Sequence, residues 1–86
     1  MDSPPIEEAA DIIRDWLHPV PENIAQRQIT LLRAPDGRLI CRVVGHDKKG
    51  RCVASLAELD ESADLTCQMA ATVLSWQEEH AKCVLN

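Results

Sequence analysis

Three histidines and four cysteines are the residues of this 86-residue chain best suited to chemistry. His80 and Cys83 stand three apart on a predicted helix and point the same way. His46, Cys41 and Cys52 are the only further ligand candidates. Structural zinc sites are built from closely spaced ligand pairs, and the cysteines at 41, 52, 67 and 83 contain no C-x-x-C. The spacing therefore predicts no metal: the cysteines act as small apolar residues and His80 lies at the surface. All four thiols are expected to be reduced, with Cys41 and Cys52, predicted on one face of neighbouring strands, the pair most open to oxidation. No local pattern marks a nucleophile beside a general base. The acid groups Glu7-Glu8, Glu58-Asp60-Glu61 and Glu78-Glu79 read as helix-end and solvent charges. Gly45–Gly50 carries two lysines, yet lacks the Gly-Lys-Ser/Thr ending of a phosphate loop. The expectation is a protein with no catalytic, cofactor-binding or metal-binding residue, and not an enzyme.

The elements that position these residues follow from periodicity. Ile6, Ala9, Ala10, Ile13, Trp16 and Leu17 recur at helical spacing, which predicts a helix over 5–17. Ser3 is its expected cap, Pro4 and Pro5 suit its first turn, and Pro19 ends it. Prolines 19 and 21 stiffen the connector that follows. Residues 28–33, 38–44 and 51–56 read as strands. Ala34-Pro35-Asp36-Gly37 forms a turn between the first two, and a polar loop over 45–50 separates the second and third. A long helix is expected over 62–83, capped by Asp60 or Ser62, with an apolar arc around Leu65, Met69, Val73 and Trp76.

The strand alternation divides the meander into two faces. Ile29, Leu31, Leu39, Cys41, Val43, Cys52, Ala54 and Leu56 form an apolar face for the helices. The other face holds Thr30, Leu32, Ile40, Arg42, Val44, Val53 and Ser55. A face that met only water would be polar, so its four aliphatic residues predict an interface. Leu32, Ile40, Arg42, Val44 and Val53 are the expected partner-binding residues. Charge is also uneven. Arg27, Arg33, Arg38, Arg42, Lys48, Lys49 and Arg51 face only Asp36 and Asp47 within 27–51, whereas the rest of the chain sets Arg14 and Lys82 against twelve acids. The meander is basic and the helical ends are acidic.

Composition bounds the remainder. Apolar residues make up 45% and charged residues 27%, as in a globular domain, and 86 residues allow one domain over 1–86. Two tryptophans are the only aromatics, so the core is otherwise aliphatic. The first residues lack the basic start and apolar run of a signal peptide, and no stretch is apolar enough to span a bilayer. A cytoplasmic protein is expected.

The fold class read from these elements is α+β, a three-stranded antiparallel meander with two helices on one face in the order α-β-β-β-α. That order resembles double-stranded RNA-binding domains, and Cys67-Gln-Met-Ala-Ala-Thr-Val-Leu74 is similar to the Ala-rich second helix of that family. The resemblance implies a basic cluster at the start of the second helix that grips phosphate. Here that stretch carries Glu58, Asp60, Glu61 and Asp64, which oppose phosphate. The meander and last helix also resemble the HicB-type antitoxin fold. The function expected is a small non-enzymatic protein-binding module (adaptor, inhibitor or regulatory subunit) acting through the outer sheet face, with a second copy among its candidate partners. The alternative is a nucleic-acid-binding or antitoxin-like regulator using the basic meander. Strong duplex binding is not expected, because no strand offers an aromatic ring to a base.

Overall fold

The structure, a computed structural model, describes residues 4–18, 27–47 and 49–81. Its elements are α1 (Ile6–Leu17), β1 (Gln28–Arg33), β2 (Leu39–His46), β3 (Cys52–Leu59) and α2 (Leu65–Trp76), followed by a π-helical turn over Gln77–Ala81. The strands form one antiparallel sheet in the order β1-β2-β3. This is the α-β-β-β-α arrangement of an α+β fold. No helix of the described residues is long and apolar enough to cross a membrane. The expected Ser3 cap, the proline-rich connector, Lys48, Lys82 and Cys83 lie outside the described residues.

Local chemistry explains the boundaries. Pro5 stands at the N-cap of α1 with no side-chain cap bond, and its fixed φ of −63° leads into the helix. Asp64, rather than Asp60 or Ser62, caps α2: its carboxylate accepts the Cys67 N–H at 3.1 Å. Asp60 is occupied elsewhere, accepting from the Ser62 N–H and hydroxyl in the preceding turn. Gly37, at φ 97°, closes the first hairpin turn by donating to the Ala34 carbonyl at 2.9 Å.

Both helices lie on one sheet face, and two tryptophans seat them there. Trp16 of α1 and Trp76 of α2 meet edge to face, with ring centroids 5.0 Å apart. They pack with Cys41, Val43, Leu59 and Val73 in the core. Gly45 lies beneath them. A Cβ there would come within 2.9 Å of Cζ2 and Cη2 of Trp16 and Cζ2 of Trp76. This corrects the sequence expectation that Gly45 opens a polar loop. β2 runs on through Gly45 and His46 because the missing side chain lets the rings close onto the strand.

The third strand departs further from expectation. β3 extends to Leu59, and its register places Val53 opposite Gly45, Ala57 opposite Cys41 and Leu59 opposite Leu39. Residues directly opposite share a face, so Val53, Ser55, Ala57 and Leu59 face the helices. Cys52, Ala54 and Leu56 turn to the other side. The expected assignment was one residue out of step, which inverts every side chain of the strand. Leu59, almost fully buried on the core, fixes the register. Cys41 and Cys52 consequently lie on opposite faces, not on one.

The indoles differ in their polar ends. Trp76 Nε1 donates to the Val53 carbonyl at 3.1 Å, whereas the buried Trp16 Nε1 has no partner among the described residues. Removing this donor forfeits one hydrogen bond, a net contribution of about 0.5–1.5 kcal/mol. Trp76→Phe is therefore expected to lower stability by about 1 kcal/mol more than Trp16→Phe in urea denaturation. Equal losses would show that the indole bond contributes nothing.

Two turn carboxylates set a pH dependence. Asp47 accepts the N–H groups of Arg51 and Lys49, each at 2.9 Å, and Arg51 Nε at 2.8 Å. The Arg51 backbone bond is the main cause holding Asp47 below the usual carboxylate range. The Ser62 hydroxyl, then its N–H, does the same for Asp60. A carboxyl depressed on folding contributes stability that is present above its unfolded pKa of about 3.9 and lost as pH falls through the folded value. Melting temperature is expected to fall below about pH 4, and less steeply in the Asp47→Asn/Asp60→Asn double variant. An identical acid slope in wild type and variant contradicts this assignment.

Candidate functional site

The sheet face away from the helices is laid out by its rungs. Leu32, Ile40 and Glu58 form one row, Thr30, Arg42 and Leu56 the next, and Gln28, Val44 and Ala54 the third, with His46 opposite Cys52 at the end. Neither α1 nor α2 covers this face. Leu32 is 41% exposed and Leu56 65%, while Ile40 between the strands is half-buried. The central strand brings Leu32, Ile40, Arg42 and Val44 together as the alternation predicts.

One member of the expected set is corrected, and another lies on the face but is buried. Val53 is not on this face: it stands opposite Gly45 and packs toward the helices. Val44 is on the face, yet only 7% exposed, so it is part of the floor and not an accessible anchor. Leu56 takes the place assigned to Val53. The sequence cue was Leu59, since extending β3 to bury it places Leu56 outside.

Arg42 sits in the middle row between Thr30 and Leu56, exposed, and has no carboxylate partner among the described residues. Other arginines of the basic meander are engaged. Arg33 pairs with Glu61 and donates to the Gly37 carbonyl at 2.9 Å. Arg38 pairs with Asp36 at 2.8 Å and reaches Glu58 at 3.7 Å, and Arg51 pairs with Asp47 at 2.8 Å. Arg27 lies over the Trp16 ring, 4.8 Å from its centroid. The pairings with Glu61 and Glu58 bring acids from outside 27–51 and offset part of the positive charge that the sequence gathers there, which weakens any field it presents to phosphate.

The groups suited to chemistry are dispersed. Burial raises the Cys41 thiol pKa, opposed in part by a hydrogen bond with Thr72. The Cys67 thiol is also raised, first by burial and then by the Asp64 carboxylate beside it. Both shifts favour the thiol over the thiolate that acts as a nucleophile. The His80 ring lies tilted against Trp76 with centroids 5.2 Å apart, on the helical side of the sheet, whereas His46 projects from the other side. No three His, Cys, Asp or Glu side chains converge on a metal-sized site among the described residues.

A groove of about 480 Å³ runs between β3 and α2. Ser55, Ala57 and Leu59 line it from the strand, and Gln68, Ala71, Thr72, Ser75 and Glu79 from the helix. Gln68 Nε2 donates to the Asp60 carbonyl at 2.9 Å and its Oε1 accepts the Asp60 N–H at 2.7 Å, closing one end. Glu79 accepts from the Ser55 hydroxyl at 3.5 Å near the other. Comparison of the chain with known protein families, with curated proteins and with solved structures finds no match in any of the three.

Proposed function

We propose that this chain is a small, non-enzymatic, cytoplasmic protein-binding module, an adaptor, inhibitor or regulatory subunit that docks a partner chain on its outer sheet face. A second copy of the chain is among the partners that fit. The observation that carries this reading is a pair of exposed leucines on the outer face, Leu32 beside Ile40 and Leu56 beside Arg42 in the next row, on a face that neither α1 nor α2 covers. An antiparallel face that meets only water is polar, and clustered exposed aliphatic residues mark interfaces. Arg42 supports it. A guanidinium amid an apolar patch is suited to a partner carboxylate, which it grips as a planar fork. Acidic residues like those at this chain's own helical ends would supply such carboxylates.

A photo-reactive side chain at position 32 or 56 tests the reading in the protein's host. Adducts of one defined mass are expected from both positions, and none from Glu7 on the exposed side of α1. Equal labelling from all three positions, or none from 32 and 56, overturns it.

A further inference from the structure

We infer that the edge of β3 is a second docking site, one that adds an extended peptide strand bearing a basic residue along the groove beside α2. The site adjoins the outer sheet face but uses the outward backbone groups of β3 and the groove on the helical side.

The inference starts from the ladder. The Asp47 N–H donates to the Arg51 carbonyl at 3.0 Å, which makes that pair a hydrogen-bonded rung. Antiparallel rungs alternate. Gly45–Val53, Val43–Ser55 and Cys41–Ala57 are then bonded pairs, and the N–H and C=O groups of Ala54, Leu56 and Glu58 point away from β2. β3 is an edge strand, and among the described residues no strand stands beyond them. The next outward residue is Asp60, and there the Gln68 amide already makes both bonds that a neighbouring strand would make. The edge thus shows its pairing geometry at one rung and leaves open the three that lie beside the groove, Ala54, Leu56 and Glu58.

Natural edges are blunted by proline, bulges or charge. β3 has no proline, and Glu58 is its only charged residue. The groove continues the edge into a trough whose helical wall carries Ala71, Thr72 and Ser75, small enough to leave room for incoming side chains. A strand paired at Ala54, Leu56 and Glu58 would point its two intervening side chains into that trough, on the side of Ser55 and Ala57. Both charged residues in the groove wall, Glu58 and Glu79, are acids. The occupant that fits is an extended segment of about five to seven residues, with apolar side chains entering the trough and a Lys or Arg reaching Glu58 or Glu79.

Selection of a phage-displayed random dodecamer library on the full chain tests this. Enriched peptides are expected to alternate apolar and polar residues, to carry Lys or Arg, and to slow amide hydrogen exchange at Ala54, Leu56 and Glu58. Leu56→Pro removes the central outward N–H without removing a bond to β2, and should weaken the selected peptides at least about tenfold. Ser75→Arg, which fills the trough and repels the basic residue, should do the same with the edge unaltered. Leu32→Asp, on the outer face, should leave peptide affinity unchanged, which separates this site from the proposed partner face. Failure to enrich any peptide, protection confined to Leu32, Ile40 and Arg42, or full affinity in Ser75→Arg overturns the inference.

Discussion

A side chain at position 45 is expected to destabilise the protein more than any other single-methyl addition to the sheet. Gly45→Ala should lower the unfolding free energy by about 1–3 kcal/mol, the range for overpacking a tight core, and Gly45→Val by more. In most strand interiors the same change to alanine helps, by roughly 0.5–1 kcal/mol, because glycine loses the most backbone freedom on folding. The sign reverses here because the added Cβ would sit 2.9 Å from carbons of both indoles. Neither ring can retreat freely. Trp76 is tied to the Val53 carbonyl, and Trp16 is held against Trp76 on one side and Arg27 on another. Small domains have only about 5–15 kcal/mol of stability in total, so the valine variant should be largely unfolded at urea concentrations the wild type withstands. Urea midpoints for the two variants check this. An alanine variant as stable as wild type would show that the tryptophan pair is loosely seated and does not fix the helices to the sheet.

The second large effect is expected at the outer face. Fully burying a leucine contributes about 1.5–3 kcal/mol, and an aspartate in its place must also be desolvated or excluded. Leu56→Asp should therefore weaken the partner complex by at least about 30-fold. Leu32→Asp should have a smaller effect, since Leu32 is less exposed in the free protein and has less area left to bury. Arg42→Ala should act chiefly through lost pairing with the partner's carboxylates. None of the three side chains belongs to the core beneath the helices, so near-ultraviolet circular dichroism from Trp16 and Trp76 should be unchanged. Dissociation constants for the partner that cross-linking identifies, measured without the cross-linker for each variant, check the order. A larger loss in Arg42→Ala than in Leu56→Asp would mean that charge and not apolar area drives docking.

Much of the architecture was legible because its cues are local. Pro35-Asp36-Gly37 makes a turn wherever it stands, and the alternation of Leu39, Cys41 and Val43 against Ile40, Arg42 and Val44 identifies the two faces of β2. The α2 cap was misplaced for a local reason, the Asp60–Ser62 turn, and the larger errors arose where a tertiary contact decides. Ala54 and Leu56 are as apolar as Ala57 and Leu59, so composition alone cannot choose the frame of β3. The choice is made by Leu59 on the core and by Gly45 opposite Val53. Gly45 reads as a loop residue until the two tryptophans, 29 and 31 positions away in sequence, are known to close over it. The ion pairs that engage Arg33 and Arg38 with Glu61 and Glu58 likewise join residues distant in sequence. The basic stripe is a sequence feature that Glu61 and Glu58 offset in part in the fold. The candidate partner face was legible in Leu32, Ile40 and Arg42, which lie on β1 and β2, and misread only at its β3 margin.

The most direct test of the central claim, that the outer sheet face is a protein-binding surface, is the molar mass of the full chain isolated from its host, measured by light scattering for wild type and for the Leu32→Asp/Leu56→Asp double variant. The wild type is expected to run as an assembly, with itself or with a partner, and the double variant as a folded monomer. A wild type that is monomeric and alone, or a double variant that assembles unchanged, would contradict the account.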